Sequence, residues 1–239
     1  MADNYLEKRY EEVFGAGAPR KGPVKHASPS LNTLLVKNRT IRRYRQDFKV
    51  TDAQLRTIVE VNTKTASAMN RQALRFRIVP TEDTAMLEAL KTCLFREQVR
   101  SEAATAFIVV FTAVLEDRFI DIDLGISLQS MALKAAELGL NCLIKGNIDR
   151  LALKSLFSAD AKSETHDASE EEHITEKQPL SAVSCHLEPL AVLCVGKAAE
   201  SVFLKPMSGT CPPHDEDLAP YTRDSVHYVP KLQIDSLLV

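Results

Sequence analysis

Residues 123–146 read DLGISLQSMALKAAELGLNCLIKG, and this stretch decides the fold. From Asp123 to Leu138, the residues Ile126, Gln129, Leu133 and Ala136 recur at the spacing of one helical face, which predicts a helix. Gly139 is its expected stop, because glycine enters the left-handed conformation that ends helices without a Cβ clash. Shortly afterwards, Cys142 to Ile144 form an apolar run of strand length. Gly125, inside the helix, costs roughly 1 kcal/mol relative to alanine and so needs a reason. Close helix packing is one; close approach of another backbone or a ligand is the other.

The flanking sequence continues this alternation of short elements. Thr51 and Gln54 form a capping box ahead of Leu55, Ile58, Val59 and Asn62, and Asp83 to Phe95 carries Met86, Leu87, Leu90 and Leu94 on one helical face. Phe76 to Val79, ending at Pro80, reads as a strand, and Phe107 to Leu115 and Ala191 to Val195 read as buried strands. Helices and strands are interleaved without strict alternation, so the expectation is α+β with a mixed sheet. No internal repeat is visible. One domain over 31–239 is expected, preceded at 1–30 by an arm and a linker. Tyr5 to Phe14 places Leu6, Tyr10, Val13 and Phe14 on one helical face, and Gly15 to Pro29 has the Gly, Pro, Lys and Ser content of a surface linker. Ser158 to Gln178 is acidic with few apolar residues and is expected to be an exposed insertion. Val226 to Val229 and Gln233 to Val239 are the last apolar segments.

The 239 residues are 45% hydrophobic and 26% charged, with a formal charge of -2, the balance of a globular protein without nucleic acid or membrane as its main partner. The longest apolar run, Phe107 to Leu115, is too short to span a bilayer, and the charged N-terminus lacks the pattern of a secretory signal, so a cytoplasmic location is expected. Cys93, Cys142, Cys185, Cys194 and Cys211 follow no framework spacing and are read as reduced.

Four groups of residues could carry chemistry. Arg39, Thr40, Arg42 and Arg43 combine guanidinium forks with a hydroxyl, a set suited to phosphate, although such a run is commonly just solvated. Ser67, Asn70 and Gln72 lie between a helix and a strand; their donors and acceptors could read the edge of a heteroaromatic ring or serve an ordinary polar loop. The third is the 123–146 stretch itself. The fourth is His227-Tyr228-Val229-Pro230-Lys231, where Lys231 could add a positive charge to a phosphate or remain a surface lysine. Other templates fail. Gly15-Ala16-Gly17 lacks the third glycine of a dinucleotide fingerprint, no Walker A or Gly-x-Ser-x-Gly sequence is present, and Cys185-His186 with Cys211 and His214 fits no familiar zinc spacing, so no metal is expected.

Taken in order, the four groups resemble the nitroreductase family, over Leu34 to Val239 apart from the acidic insertion. Arg39, Thr40, Arg42 and Tyr44 match its basic-Ser/Thr-x-Arg-x-aromatic opening, and Ser67, Asn70 and Gln72 its small-Ser-x-x-Asn-x-Gln loop. Asp123, Gly125 and Gln129 match its Asp-x-Gly-x-x-x-Gln helix, Gly139, Leu140, Cys142 and Gly146 the strand that follows, and Pro189 to Gly196 a further strand. The resemblance implies a mixed, mainly antiparallel sheet flanked by helices in an intertwined homodimer, with two FMN sites lined by both subunits. It places Arg39, Thr40, Arg42 and Lys231 at the phosphate and ribityl end of FMN. Ser67, Asn70 and Gln72 would meet the ring system, and Ile144, Lys145 and Gly146 would lie along its other side, mainly through backbone. It further implies a ping-pong reaction in which NAD(P)H reduces the flavin and a small electron acceptor, a nitroaromatic or quinone, takes its place. No side chain is assigned a catalytic acid or base role, since the cofactor carries the electrons. Asn38 and Gln233 stand where relatives are often basic, Ala73 and Leu74 where they carry Pro and an aromatic, and Lys145 where some carry an acid. The alternatives are a dehydrogenase or dehalogenase-like reaction on the same fold, and a flavin-binding protein with little turnover.

Overall fold

The computed structural model describes residues 29–163, 187–207 and 218–238. The Tyr5–Phe14 arm, nearly all of the linker, most of the acidic insertion and the Cys185, His186, Cys211 and His214 set lie outside them. In chain order the α-helices are α1 (Leu31–Lys37), α2 (Asp52–Val59), α3 (Thr84–Leu94), α4 (Glu97–Arg100), α5 (Arg118–Glu137) and α6 (Arg150–Ser163). The strands are β1 (Leu74–Val79), β2 (Ala106–Thr112), β3 (Asn141–Lys145), β4 (Glu188–Gly196), β5 (Val202–Met207), β6 (Tyr221–Arg223) and β7 (Val226–Leu232).

Four strands pair antiparallel in the order β1-β2-β4-β3. Every residue of β2 is buried, because helices cover both faces of the sheet. The two-residue pleat then sorts its side chains. Ala106, Ile108 and Val110 face α2 and α5 with Leu55, Ile58, Met131 and Ala135, while Phe107, Val109 and Phe111 face α3 and α6 with Leu90, Leu94 and Leu153. Phe107, Ile108, Leu55, Ile58 and Leu193 are fully enclosed. Taking a side chain of this size out of water stabilises by roughly 1.5–3 kcal/mol.

Local signals explain most boundaries. Both arms of the Thr51–Gln54 capping box form, and Asp83 caps α3 by accepting from the Met86 amide. Gly139 ends α5 with φ +74°. Three expectations need correction. Asp117, accepting from the amides of Phe119 and Ile120 at 2.9 Å, is the N-cap of α5, so the helix begins ahead of Asp123. Its inner face includes Ser127, Leu128, Met131, Ala132, Ala135 and Ala136; of the expected stripe, Ala136 is buried and Leu133 half-buried, whereas Ile126 and Gln129 are exposed. Apolar residues lie on both sides of this helix, and periodicity alone could not choose between the stripes. Finally, α6 runs to Ser163, so the first residues of the expected acidic loop end a helix instead.

A second sheet, β5-β7-β6, pairs β5 and β7 in parallel and β6 and β7 through a tight turn at Asp224 and Ser225, both with positive φ. It carries the C-terminal His-Tyr-Val-Pro-Lys segment. No helix among the described residues is long and apolar enough to cross a membrane.

Candidate functional site

The basic segment is tied to the main sheet. Thr40 forms a parallel bridge with Cys142, Ile41 N donates to the Cys142 carbonyl at 3.0 Å, and Tyr44 N donates to Glu102 O at 2.9 Å. Ile41 and Tyr44 point inward and are buried, which leaves the intervening polar residues outside. Arg39 and Thr40 turn into a cavity of about 240 Å³ that is also lined by Asn38, Gln129, Ile144 and Lys231. Leu35 of α1, Val202 of β5 and Val229 of β7 complete its apolar wall.

Among the described residues no acidic side chain lines this cavity, while Arg39 and Lys231 do. The Arg39 guanidinium donates to the Leu35 carbonyl, yet its Nε is buried with no hydrogen-bond partner among the described residues. Burial pulls its pKa below the ordinary value, and an arginine remains a cation at neutral pH all the same. An unsatisfied buried donor costs on the order of 1–3 kcal/mol, which an anionic acceptor would recover. Arginine, lysine, hydroxyl and amide together fit a phosphate group.

The pleat of β3 divides the residues expected there. Cys142 and Ile144 face the cavity, whereas the Lys145 ammonium lies 5.2 Å over the Phe95 ring on the other face. Gly146 is exposed, with nothing within 4 Å of the place a Cβ would occupy. Gly125 is likewise exposed with no neighbour in that range, so no close helix packing among the described residues explains it. Arg42 does not line the cavity; its backbone N–H, with that of Arg43 at 3.2 Å, donates to Glu200 Oε1.

Ser67, Asn70 and Gln72 form a separate group beside α5. Met69 (φ 53°), Asn70 (φ 53°) and Gln72 (φ 46°) all occupy the left-handed region, at a cost of roughly 1–2 kcal/mol for a non-glycine residue. Hydrogen bonds hold them there: Gln72 N donates to Ser67 Oγ at 3.2 Å, Gln72 Nε2 to Asn70 Oδ1 at 3.0 Å, and Ala68 N to Asp123 Oδ1 at 2.9 Å. Arg71 grips Asp117 through its two terminal guanidinium nitrogens at 3.1 Å, which holds that carboxyl below the usual carboxylate range. Asp123 and the cavity residue Gln129 are six positions apart on α5, hence about 9 Å along its axis. One helix therefore spans both groups. Sequence reasoning missed Leu35 and Val202 as cavity residues, since α1 buries no residue and β5 alternates partly buried with exposed positions.

A sequence model described as "Nitroreductase family" matches residues 35–166, more than half of the 239. No curated protein matches the sequence. Among solved structures, a protein from Desulfovibrio desulfuricans described as a nitroreductase in complex with FMN aligns with TM-score 0.53 and 22% identity, over 72% of this chain and 88% of that one. A second such complex, from Exiguobacterium sibiricum, aligns with TM-score 0.53 and 16% identity over 72% and 90%. A protein from Staphylococcus epidermidis described as an NAD(P)H:FMN oxidoreductase aligns with TM-score 0.53 and 15% identity over 77% and 92%. At these identities the likeness concerns the fold.

Proposed function

The chain belongs to the nitroreductase family, and on that premise we propose that it is an FMN-dependent oxidoreductase that passes hydride from NAD(P)H to an electron-poor acceptor, such as a nitroaromatic or quinone, by a ping-pong route. The observation that carries this reading is the cavity in which Arg39 and Lys231, far apart in sequence, face the same space, with no acidic side chain and no partner for Arg39 Nε among the described residues. That set fits the phosphate of FMN. The FMN named for two of the structures of like fold, and the NAD(P)H:FMN activity named for a third, point the same way.

FMN, when bound, supplies the ring that accepts and returns the hydride. The chain binds and orients. Arg39, Lys231 and Thr40 hold the phosphate end, and Asn38 and Gln129 offer amides along the cavity wall. Ser67, Asn70 and Gln72 read the ring edge, and the backbone at Ile144, Lys145 and Gly146 borders its other side. Keeping water from this surface protects the hydride step, which needs position more than an acid or base.

The site is completed by a second subunit. A cavity of about 240 Å³ falls short of the ~300–1,000 Å³ of a usual ligand pocket. Beside it, α5 exposes Phe119 (49%), Ile122 (46%) and Ile126 (38%) with Gly125 in their midst. A second copy of this chain, with its backbone close against Gly125, accounts for that apolar stripe.

The test is an anaerobic absorbance spectrum of the purified protein supplied with FMN, before and after NADPH and then NADH. Bound flavin that bleaches supports the reductase. Flavin that stays oxidised would leave binding without turnover, and no bound flavin would overturn the reading.

A further inference from the structure

The Ser67–Gln72 segment owes its shape to a carboxylate on another element. Ser67 stands at the N-cap of the 3-10 turn Ala68–Asn70, but its hydroxyl makes no capping bond there and accepts from Gln72 N instead. The leading amide of the turn, Ala68 N–H, is satisfied by Asp123 Oδ1, 55 residues away in sequence. Asp123 is 4% exposed, and its Oδ2 is buried with no partner among the described residues. A buried carboxylate is costly unless charge-assisted hydrogen bonds compensate, and here it has one, directed at the turn. Left-handed conformations such as those of Met69, Asn70 and Gln72 persist only where the surroundings over-determine them. Asp117 holds the far end through Arg71, whereas among the described residues Asp123 alone reaches the amide at which the turn begins.

We propose that Asp123 is a positioning residue for the flavin ring: by capping Ala68 N–H it sets the loop conformation that presents Asn70 and Gln72. This rests on the reading above that those two amides meet the ring. Asp123 itself touches no reacting atom. Without its bond, Met69 is free to leave the left-handed region, and the paired Asn70 and Gln72 side chains turn with it. The ring then sits in an altered asymmetric field, which the circular dichroism of bound flavin in the visible range records directly.

Two variants remove the same bond from opposite sides. Asp123→Ala deletes the acceptor. Ala68→Pro deletes the donor at a first helical position, where proline is favoured, behind a Ser67 already extended at φ -135° and ψ 150°. Asp123→Asn keeps an acceptor oxygen. We expect Asp123→Ala and Ala68→Pro to change the visible circular dichroism of bound FMN in the same way and to raise its dissociation constant about tenfold. The double variant should add nothing to either, because both remove one interaction, and Asp123→Asn should return the wild-type spectrum. Wild-type spectra in both single variants, or effects that add, would overturn the assignment while leaving the flavin reading intact. A wild-type protein that binds no FMN would overturn both.

Discussion

Thr40 and Cys142 are joined in a parallel β-bridge, although they lie in separate parts of the chain. The bridge aligns the basic segment with β3, so that Arg39 and Ile144 look into one cavity, which β7 closes with Lys231.

If that cavity holds a phosphate, Arg39→Ala and Lys231→Ala each remove a charged contact worth about 1.5–3 kcal/mol. FMN affinity is expected to fall roughly tenfold to a hundredfold. Riboflavin, which lacks the phosphate, should bind both variants as it binds the wild type. Arg42→Ala should leave FMN affinity nearly unchanged, since its side chain does not line the cavity. Titration of flavin fluorescence measures all of these; an equal loss for riboflavin would place the two cations at the ring instead.

The exposed stripe on α5 predicts a change of assembly. Ile122→Glu combined with Ile126→Glu puts charge where a second copy would pack, and neither residue belongs to the core of the single chain. Light scattering should show a monomer with unchanged far-ultraviolet circular dichroism and with bound FMN lost. A dimer that persists would move the interface elsewhere.

Gly196 is a packing requirement. A Cβ there would lie 2.6 Å from Tyr44 Cδ1 and 3.3 Å from Thr105 Oγ1. Tyr44 is 2% exposed and has nowhere to move. Overpacking of this kind costs about 1–3 kcal/mol. Gly196→Ala should therefore lower the Tm by several degrees, at roughly 2–4 °C per kcal/mol for a chain of this size, and lower the urea midpoint without changing the m-value.

Stability should also decline in alkali. Burial pushes the Cys194 thiol up from 9.0 to about 12, and it raises the Cys142 thiol and the Tyr44 hydroxyl as well. The folded protein keeps these protons at a pH where the unfolded chain releases them. The stabilisation is thus complete below about pH 9 and is lost as pH rises toward the folded values, at about 1.4 kcal/mol per pH unit for each group. Urea unfolding between pH 8 and pH 10.5 should show this slope, and Cys194→Ala should reduce it.

Elements with strong local chemistry were legible in the sequence. The Thr51–Gln54 box, the Asp83–Phe95 helix and the Gly139 stop each depend on contacts within a few residues, and each lies within one or two residues of its expected place. Elements held by distant contacts were not. Strand β5 exists because β7 pairs with it, and it alternates around a Lys-Pro pair that looks unlike a strand. The Asp117 cap is a local signal as well, but the charged residues Arg118, Asp121 and Asp123 interrupt the apolar pattern behind it, so the start of the helix is weakly marked in sequence.

For the site, residue types alone named a phosphate-suited set and a ring-edge set, because donors and charges are properties of side chains. Which members share a space depends on pleat and pairing. The alternation of β3 sends Ile144 to the cavity and Lys145 away from it, Glu200 draws the backbone at Arg42 and Arg43 along the surface, and Asp123 reaches across to Ala68. Local sequence thus determined the α+β class and the chemistry on offer, since the first depends on periodicity and the second on functional groups. The tertiary structure alone decided the grouping, because contacts between residues far apart in sequence exist only once the sheet and its helices have packed.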